Sequence, residues 1–391
     1  MEKCIENEKG HRYSESSIPL DIALDILPRL SYKSLQRFKS VSREWSCLIS
    51  TPQFLRKNYL LTTNASKDSS LWKCMYVASR GSALGSGPFV LETSDCNGST
   101  REVRVGRLTS TSEFNFLGSC NGLLLLSRGR DLFIWNPSSG KKKLVSRPRS
   151  VQARHIGMSG LAYDSSSEDY KAVFGVWCHL SGRINILFYS FRTNTWKSID
   201  GKDLPFLCYN IREQGATVNG APHWTFFRKE STKGSNSTIV YFDPAEEKFK
   251  ELLFPVERKD VCMFALGTLG GCLSVTYPSR AGLIETWVMR EYGKEESWTK
   301  LFVLPSFHRY LRPLCFTKKG EAVLMGVENN RLVLCNLRDR SETHVSYVVN
   351  KNLYYRKPKN LGVELVTYVE SSDFPALGST ERSKRVQLLC E

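Results

Sequence analysis

A recurrence of about 50 residues constrains this chain more than any other feature. The turn-forming pairs Asn121-Gly122, Asn219-Gly220, Gly270-Gly271 and Lys319-Gly320 each stand directly before an apolar run, and their second glycines are 98, 51 and 49 residues apart. The first interval is about double the others, and Asp169-Tyr170 before KAVFGVW stands at its middle. A second marker keeps the same phase. LFIWNPSSGKKKL, ILFYSFRTNTWKSI, IVYFDPAEEKFKEL, ETWVMREYGKEESWTKLF and LVLCNLRDRSETHV each read as a strand, a turn and a second strand. With Asn136, Ser190, Asp243, Val288 and Asn336 as equivalent points, the steps are 54, 53, 45 and 48.

Several strands per unit, aromatic strand ends and a period near 50 fit kelch-like β-propeller blades and not helical solenoids. Five units are visible, and residues 71 to about 117 (LWKCMYV, GPFVLET, REVRVGRL) supply a sixth that closes the ring. A pair of two-sheet sandwiches is the structural alternative. Trp135, Trp196, Phe249 and Trp298 are expected at matched strand positions as packing residues. The segment after Ser371, SSDFPALGSTERSKR, is poor in apolar residues and reads as a mobile tail.

Residues 18–56 have a different periodicity. Leu20, Ala23, Leu24 and Leu27 follow i, i+3, i+4, i+7, and Ile22, Ile26 and Leu30 form a second stripe on the same helix. Pro28 should end or bend that helix, and Ser31 can cap the next, which carries Leu35 and Phe38. Val41, Trp45, Leu48 and Ile49 mark a third helix that Thr51-Pro52 stops. About 40 residues of helix cannot bury a two-sided apolar stripe alone, so the uncovered side implies a protein partner. The fold class is therefore α+β multidomain, a small three-helix domain followed by an all-β kelch-like propeller. The expected division is a tail at 1–15, the helical domain at 16–58, a linker at 59–70, the propeller at 71–370 and a mobile C-terminal tail at 371–391.

Enzyme signatures are missing. GSALGSGPF fits no phosphate-binding glycine pattern, no C-x-x-C or H-x-x-x-H spacing exists, and Cys178 and His179 would point to opposite faces of a strand. Asp169, Asp243 and Glu246 occupy turn positions where carboxylates bond the local backbone. No catalytic residues, metal or cofactor are expected. The longest aliphatic run, Leu123–Leu126, is far too short to span a bilayer, and MEKCIENEK lacks the apolar core of a secretory signal. The expected location is the cytosol or nucleus.

Charge is the remaining signal. The chain has 55 Lys and Arg against 39 Asp and Glu, a net of +16. Arg128, Arg130, Lys141, Lys142, Lys143, Arg147, Arg149 and Arg154 cluster against Asp131 alone. Phe307, Arg309, Tyr310 and Arg312 combine aromatics with arginine in FHRYLRP, an interface composition. An acidic protein surface is expected near that loop, with Lys141, Lys142 and Lys143 as a second edge. Packing of the loop on a neighbouring blade, and simple solvation of the lysines, are the competing readings. Basic residues and aromatics do not interleave, so nucleic acid is not expected as a partner.

The segment IPLDIALDILPRLSYKSLQRFKSVSREWSCLISTPQF resembles an F-box, although Pro28 and Ser31 stand where Ser and Pro are usual. GSCNGLLLL, LFIWNPSSGKKKL, GLAYDSSSEDYKAV, VNGAPHWTF, FDPAEEKFKEL and RPLCFTKKGEAVL are similar to the plant F-box-associated interaction domain, over about residues 110–345. The resemblance implies a non-catalytic substrate receptor of a Skp-cullin-F-box ubiquitin ligase. Ile18, Pro19, Leu20, Leu24, Leu27, Leu30, Leu35 and Val41 would contact a Skp-type adaptor, Arg29, Lys33 and Arg37 would steer it, and Trp45 would anchor the bundle. Related plant receptors recognise immune receptors or basic ribonucleases. A receptor of charge +16 repels a basic ribonuclease, leaving a target such as an immune receptor. An adaptor-bound propeller scaffold without ligase output is the alternative, and a propeller enzyme would need acids converging on the ring axis.

Overall fold

The computed structural model describes residues 19–30, 32–51, 54, 57–58, 72–79, 89–95, 100–103, 114–128, 131–145, 156–178, 183–200, 206–207, 213–228, 237–254, 265–279, 282–305, 311–317, 322–327, 331–347 and 365–371. They fall into two compact units, one within Met1–Thr62 and one within Thr63–Glu391.

The first unit is helical. α1 (Leu20–Ile26) passes into a 3₁₀ turn, Leu27–Arg29, at Pro28, whose ring cannot continue the α-helical hydrogen-bond ladder. Asn58 then donates to the carbonyls of Pro28 (2.8 Å) and Leu30 (2.9 Å), satisfying acceptors at the corner. α2 spans Tyr32–Phe38, and α3 spans Arg43–Ser50. The Ser42 hydroxyl accepts from the Trp45 N–H at 3.1 Å and caps α3. Ala23, Leu27, Leu35, Ile49 and Phe54 form the buried core, with Leu30, Phe38, Trp45 and Leu48 packed around it.

Among the described residues, the second unit forms six separate sheets in chain order, the blades of a propeller. Blade 2 shows the plan: Phe114–Cys120 innermost, then Leu123–Arg128, Asp131–Trp135 and Lys142–Val145, each antiparallel to its neighbour. Blade 3 runs from Ile156–Asp164 to Thr195–Ile199, and blade 4 from Ala216–Val218 to Lys248–Leu252. Blade 5 runs from Ala265–Leu269 to Trp298–Pro305, and blade 6 from Leu311–Phe316 to Glu342–Tyr347. Blade 1 is composite, because Leu365–Val369 forms its innermost strand beside Trp72–Ser79, Phe89–Asp95 and Thr100–Val103. The ring is thereby closed by the C-terminal strand, a pairing between segments almost 300 residues apart that sequence periodicity does not reveal.

Turn chemistry explains the repeat. Asn121-Gly122 has φ of 50° and 79° and Asn219-Gly220 has 50° and 77°, so each joins its strands as a two-residue hairpin that L side chains other than Asn or Asp adopt reluctantly. The longer turns share another device. Asn136, Asp164, Asp243 and Asn336 accept from the backbone N–H two residues on, and a left-handed residue follows at Gly140, Glu168, Glu247 and Arg340. Ser190 uses its hydroxyl in the same way, accepting from the Thr193 N–H, and Asn194 is the left-handed residue.

Three expectations are corrected. Arg290, whose N–H reaches the Ser297 carbonyl, closes the blade 5 turn and is the equivalent of Asn136, not Val288. Asp169-Tyr170 is no turn; it opens a strand opposite Asp164 and Tyr163, after a four-residue loop. Trp196, Phe249 and Trp298 lie on fourth strands opposite Tyr189, Phe242 and Met289, whereas Trp135 lies on a third strand opposite Lys142. Trp135 is nonetheless fully buried between blades 1 and 2, and the other three pack on blade cores. Lys319-Gly320 and the segment after Ser371 lie outside the described residues.

Inner strands approach closely. A Cβ on Gly118 would stand 2.5 Å from the Leu161 nitrogen, so only glycine lets blades 2 and 3 meet at that level.

Candidate partner-binding surfaces

On the helical unit the structure separates the two stripes of α1. Ala23 and Leu27 are closed into the core, as is Leu35 from α2. Leu27 and Leu35, at 2% and 0% exposure, are therefore not available to an adaptor, a correction that follows from the small Ala23 letting α1 pack closely. Ile22 and Ile26, spaced i, i+4 on one face, are 45% and 51% exposed, and Val41 is 63% exposed. These isoleucines, the second stripe of α1 in the sequence, are not among the expected adaptor contacts, and they are flanked by the exposed Asp21 and Asp25. Pro19 is exposed at the start of α1, Leu20 opens the helix, and Leu24 and Leu30 are half-buried. Ile18 lies outside the described residues. Trp45 is half-buried, with its ring 5.4 Å from that of Phe38. Arg29 is exposed and pairs with Asp25 at 2.9 Å, a bond that holds the Asp25 carboxyl below its usual range.

On the propeller, the basic candidates do not come together. Each blade is antiparallel, so its first-to-second and third-to-fourth turns meet at one end, and its other connections meet at the opposite end. Bonds between blades keep them in one sense: Tyr163 N–H donates to the Gly220 carbonyl at 2.8 Å, and Asn136 donates to the Ser371 carbonyl at 2.9 Å. Lys141 belongs to a third-to-fourth turn, at the turn end. Pro305 and Leu311, the strand ends on either side of residues 306–310, lie at the other end. Phe307, Arg309 and Tyr310 are outside the described residues, and Arg312 is half-buried in its strand. Lys141 and Lys142 are exposed, but Lys143 is buried and donates to the Asn194 side chain of blade 3 at 2.7 Å. Burial lowers its pKa. Lys143 is thus a blade-to-blade tie, not an edge of the same surface as FHRYLRP.

Titratable groups inside the propeller are likewise spent on ties. Asp169 accepts from the Ser190 hydroxyl at 2.6 Å and the Arg192 N–H at 2.8 Å, across to the next turn and not within its own. Lys171 bridges to the Pro244 carbonyl and Glu247 of blade 4 at 2.5 and 2.8 Å. Asp243 accepts from two turn N–H groups as expected, while Glu246 pairs with Lys250 at 2.6 Å. His223 is fully buried; its Nδ1 lies 3.0 Å from the Ala216 carbonyl and its Nε2 3.0 Å from the Tyr292 hydroxyl. A carbonyl only accepts, so Nδ1 carries the proton and Tyr292 donates to Nε2. Burial pushes the His223 pKa down to about 4 and raises that of Tyr292. Among the described residues no group of three or more His, Cys, Asp or Glu is placed to hold a metal, and no helix is long and apolar enough to cross a membrane.

Comparison with known proteins agrees with this two-part organisation. The F-box domain model matches residues 16–57, and the F-box associated beta propeller domain model matches residues 96–372. The chain is 29% identical over 324 residues to the F-box/kelch-repeat protein At3g23880 of Arabidopsis thaliana, covering 80% of this chain and 86% of that protein. It is also 29% identical over 360 residues to the F-box protein CPR1 of Arabidopsis thaliana, covering 83% of each. The propeller match spans more than half of the sequence, and the chain belongs to the plant F-box proteins with an F-box associated β-propeller, substrate-recognition proteins whose F-box binds a Skp adaptor.

Proposed function

We propose that this chain is the non-catalytic substrate-recognition subunit of a Skp-cullin-F-box ubiquitin ligase, acting in the cytosol or nucleus on an acidic target protein. The observation that carries the reading is the pair Ile22 and Ile26, left half-exposed on α1 after the helical unit has filled its own core. Covering both on an adaptor gains about 1 kcal/mol each by area. The propeller holds the target beside the adaptor-bound cullin, so that ubiquitin transfer is accelerated by proximity and not by a group of this chain. The net charge of +16 favours an acidic target.

The test is reconstitution of the full chain with adaptor, cullin, activating and conjugating enzymes, and a target recovered under proteasome inhibition. Ubiquitin conjugates on the target that require both the chain and its isoleucine pair support the reading. A stable target complex that is never ubiquitylated favours a scaffold and refutes it.

A further inference from the structure

The fourth strand of blade 2, Lys142–Val145, stands apart from the other described outer strands in what it leaves unspent. In blades 3, 4 and 5 a lysine of the fourth strand meets a carboxylate: Lys197 with Glu247 at 2.6 Å, Lys250 with Asp243 at 2.7 Å, and Lys300 with Glu285 at 3.0 Å. Blade 2 has Lys141, Lys142 and Lys143 in a row, and among the described residues none of them has a carboxylate partner. Leu144 follows and is 62% exposed. Leu253, the propeller's other exposed large aliphatic side chain among the described residues, has both backbone groups engaged: its N–H donates to Glu295 and its carbonyl accepts from the Trp298 indole.

The strand's open backbone groups can be assigned. Asn136 N–H donates to the Lys141 carbonyl at 2.9 Å, which sets the phase of the ladder. Antiparallel pairs alternate, so Ile134 with Lys143 and Leu132 with Val145 are the hydrogen-bonded pairs, and Lys142 and Leu144 turn their N–H and carbonyl groups to the outer edge. Among the described residues no strand lies against that edge. The side chains of Lys142 and Leu144 share one face, two residues apart. From the other face Lys143 donates to Asn194 of blade 3 and Val145 enters the core between blades 2 and 3, so the strand is held in place. A partner meets a backbone already in strand form, which lowers the ordering cost of binding.

We infer that blade 2 accepts an extended segment of the target as a fifth strand beside Lys142–Val145, with an Asp or Glu opposite Lys142 and an apolar residue opposite Leu144. This rests on the receptor reading above and gives its acidic target a docking edge and a sequence pattern. In such strand addition the backbone bonds supply affinity and the flanking side chains supply choice. A second copy of this chain is not the occupant, because pairing the edge with itself brings the two lysine rows together. An acidic segment instead neutralises Lys142, and its apolar residue covers Leu144.

The experiment uses the full chain with its adaptor and the capped fluorescent peptide Thr-Glu-Thr-Val-Thr-Glu-Thr-Val-Thr, read by anisotropy. Lys142→Glu tests the charge, and Leu144→Pro tests the edge: proline at that position removes an N–H that no ladder bond of the blade uses, so the blade keeps its own pairing. Two further peptides, N-methylated on the Glu and Val residues or on the Thr residues, test backbone pairing without altering the protein. Expected is saturable binding by the native chain, a loss on the order of tenfold in each variant, a similar loss for one methylated peptide and a change within about twofold for the other. Lys248→Glu, at an exposed lysine on the fourth strand of blade 4, should change affinity by less than about twofold. Absence of saturable binding overturns the assignment, as do equal losses for Lys142→Glu and Lys248→Glu or unaltered binding of both methylated peptides. Adaptor retention, measured on the same samples, reports on the receptor reading separately: its absence in the unmutated chain strikes that reading, while the peptides still decide the edge.

Discussion

Lowering the pH should destabilise this propeller through one residue. His223 is enclosed in blade 4 between the stacked ring of Tyr241, 5.3 Å away, and the edge-on ring of Tyr292 from blade 5. Both nitrogens are engaged with the neutral tautomer, and burial holds the folded-state pKa at about 4, against the opposing pull of the Ala216 and Ala221 carbonyls. The unfolded chain has the ordinary value of 6.5. Between these two values the unfolded state binds a proton that the folded state refuses, so the histidine's contribution is complete above pH 6.5 and drains away as pH falls. From pH 8 to pH 5 the loss is about 2 kcal/mol by linkage. The carboxyls of Asp164, Asp243, Glu247 and Glu285 are held below their ordinary values by hydrogen bonds that outweigh burial, so their contributions fade only in stronger acid. The assay is urea unfolding of the full chain by tryptophan fluorescence at pH 8 and pH 5, for the native sequence and His223→Gln. A pH-dependent loss that is about 2 kcal/mol larger in the native chain is expected. The same loss in both would show that His223 is protonated without cost, and would refute the buried neutral tautomer.

Three further outcomes follow from packing. Trp298, 8% exposed and donating its indole N–H to the Leu253 carbonyl at 3.2 Å, should cost about 3–5 kcal/mol when changed to Ala, seen as a lowered urea midpoint. Removing residues 365–391 strips the innermost strand of blade 1 and the Ser371 carbonyl bonded by Asn136, so the chain should aggregate in light scattering where a cut after residue 371 does not. Leu35→Ala should destabilise the helical unit by about 2–5 kcal/mol in thermal unfolding, because its side chain is wholly enclosed.

The propeller was legible in the sequence wherever a local rule forced a particular residue. Positive φ demands Asn or Gly at positions 121, 122, 219 and 220, and the turn-anchoring side chain demands Asn, Asp or Ser at 136, 243, 336 and 190. Blade 5 broke the phase because Arg290 carries no such anchor and an eight-residue connection with a 3₁₀ turn, Glu295–Ser297, replaces the four-residue loop. Ring closure was illegible for another reason: LVTYV at 365–369 has no marker of its own, and its partner strand lies almost 300 residues away. In the helical unit, both stripes of α1 are apolar and periodic. Which one faces inward depends on α2 and α3, and the burial of Ala23 and Leu27 decides it for Ile22 and Ile26 facing out. The split of Lys141 from FHRYLRP required the strand directions, since residue counting gives no sense of which end a connection occupies.

Receptor function requires that the exposed face of α1 hold the adaptor. Binding of purified Skp adaptor to the full chain, measured by calorimetry, should fall by roughly two orders of magnitude in the double variant Ile22→Asp, Ile26→Asp, because two apolar contacts are lost and two carboxylates must be desolvated. The unfolding midpoint should be unchanged, as neither side chain belongs to the core. An adaptor affinity within about twofold of the native chain, with the fold intact, would contradict the placement of the adaptor on α1 and the receptor function built on it.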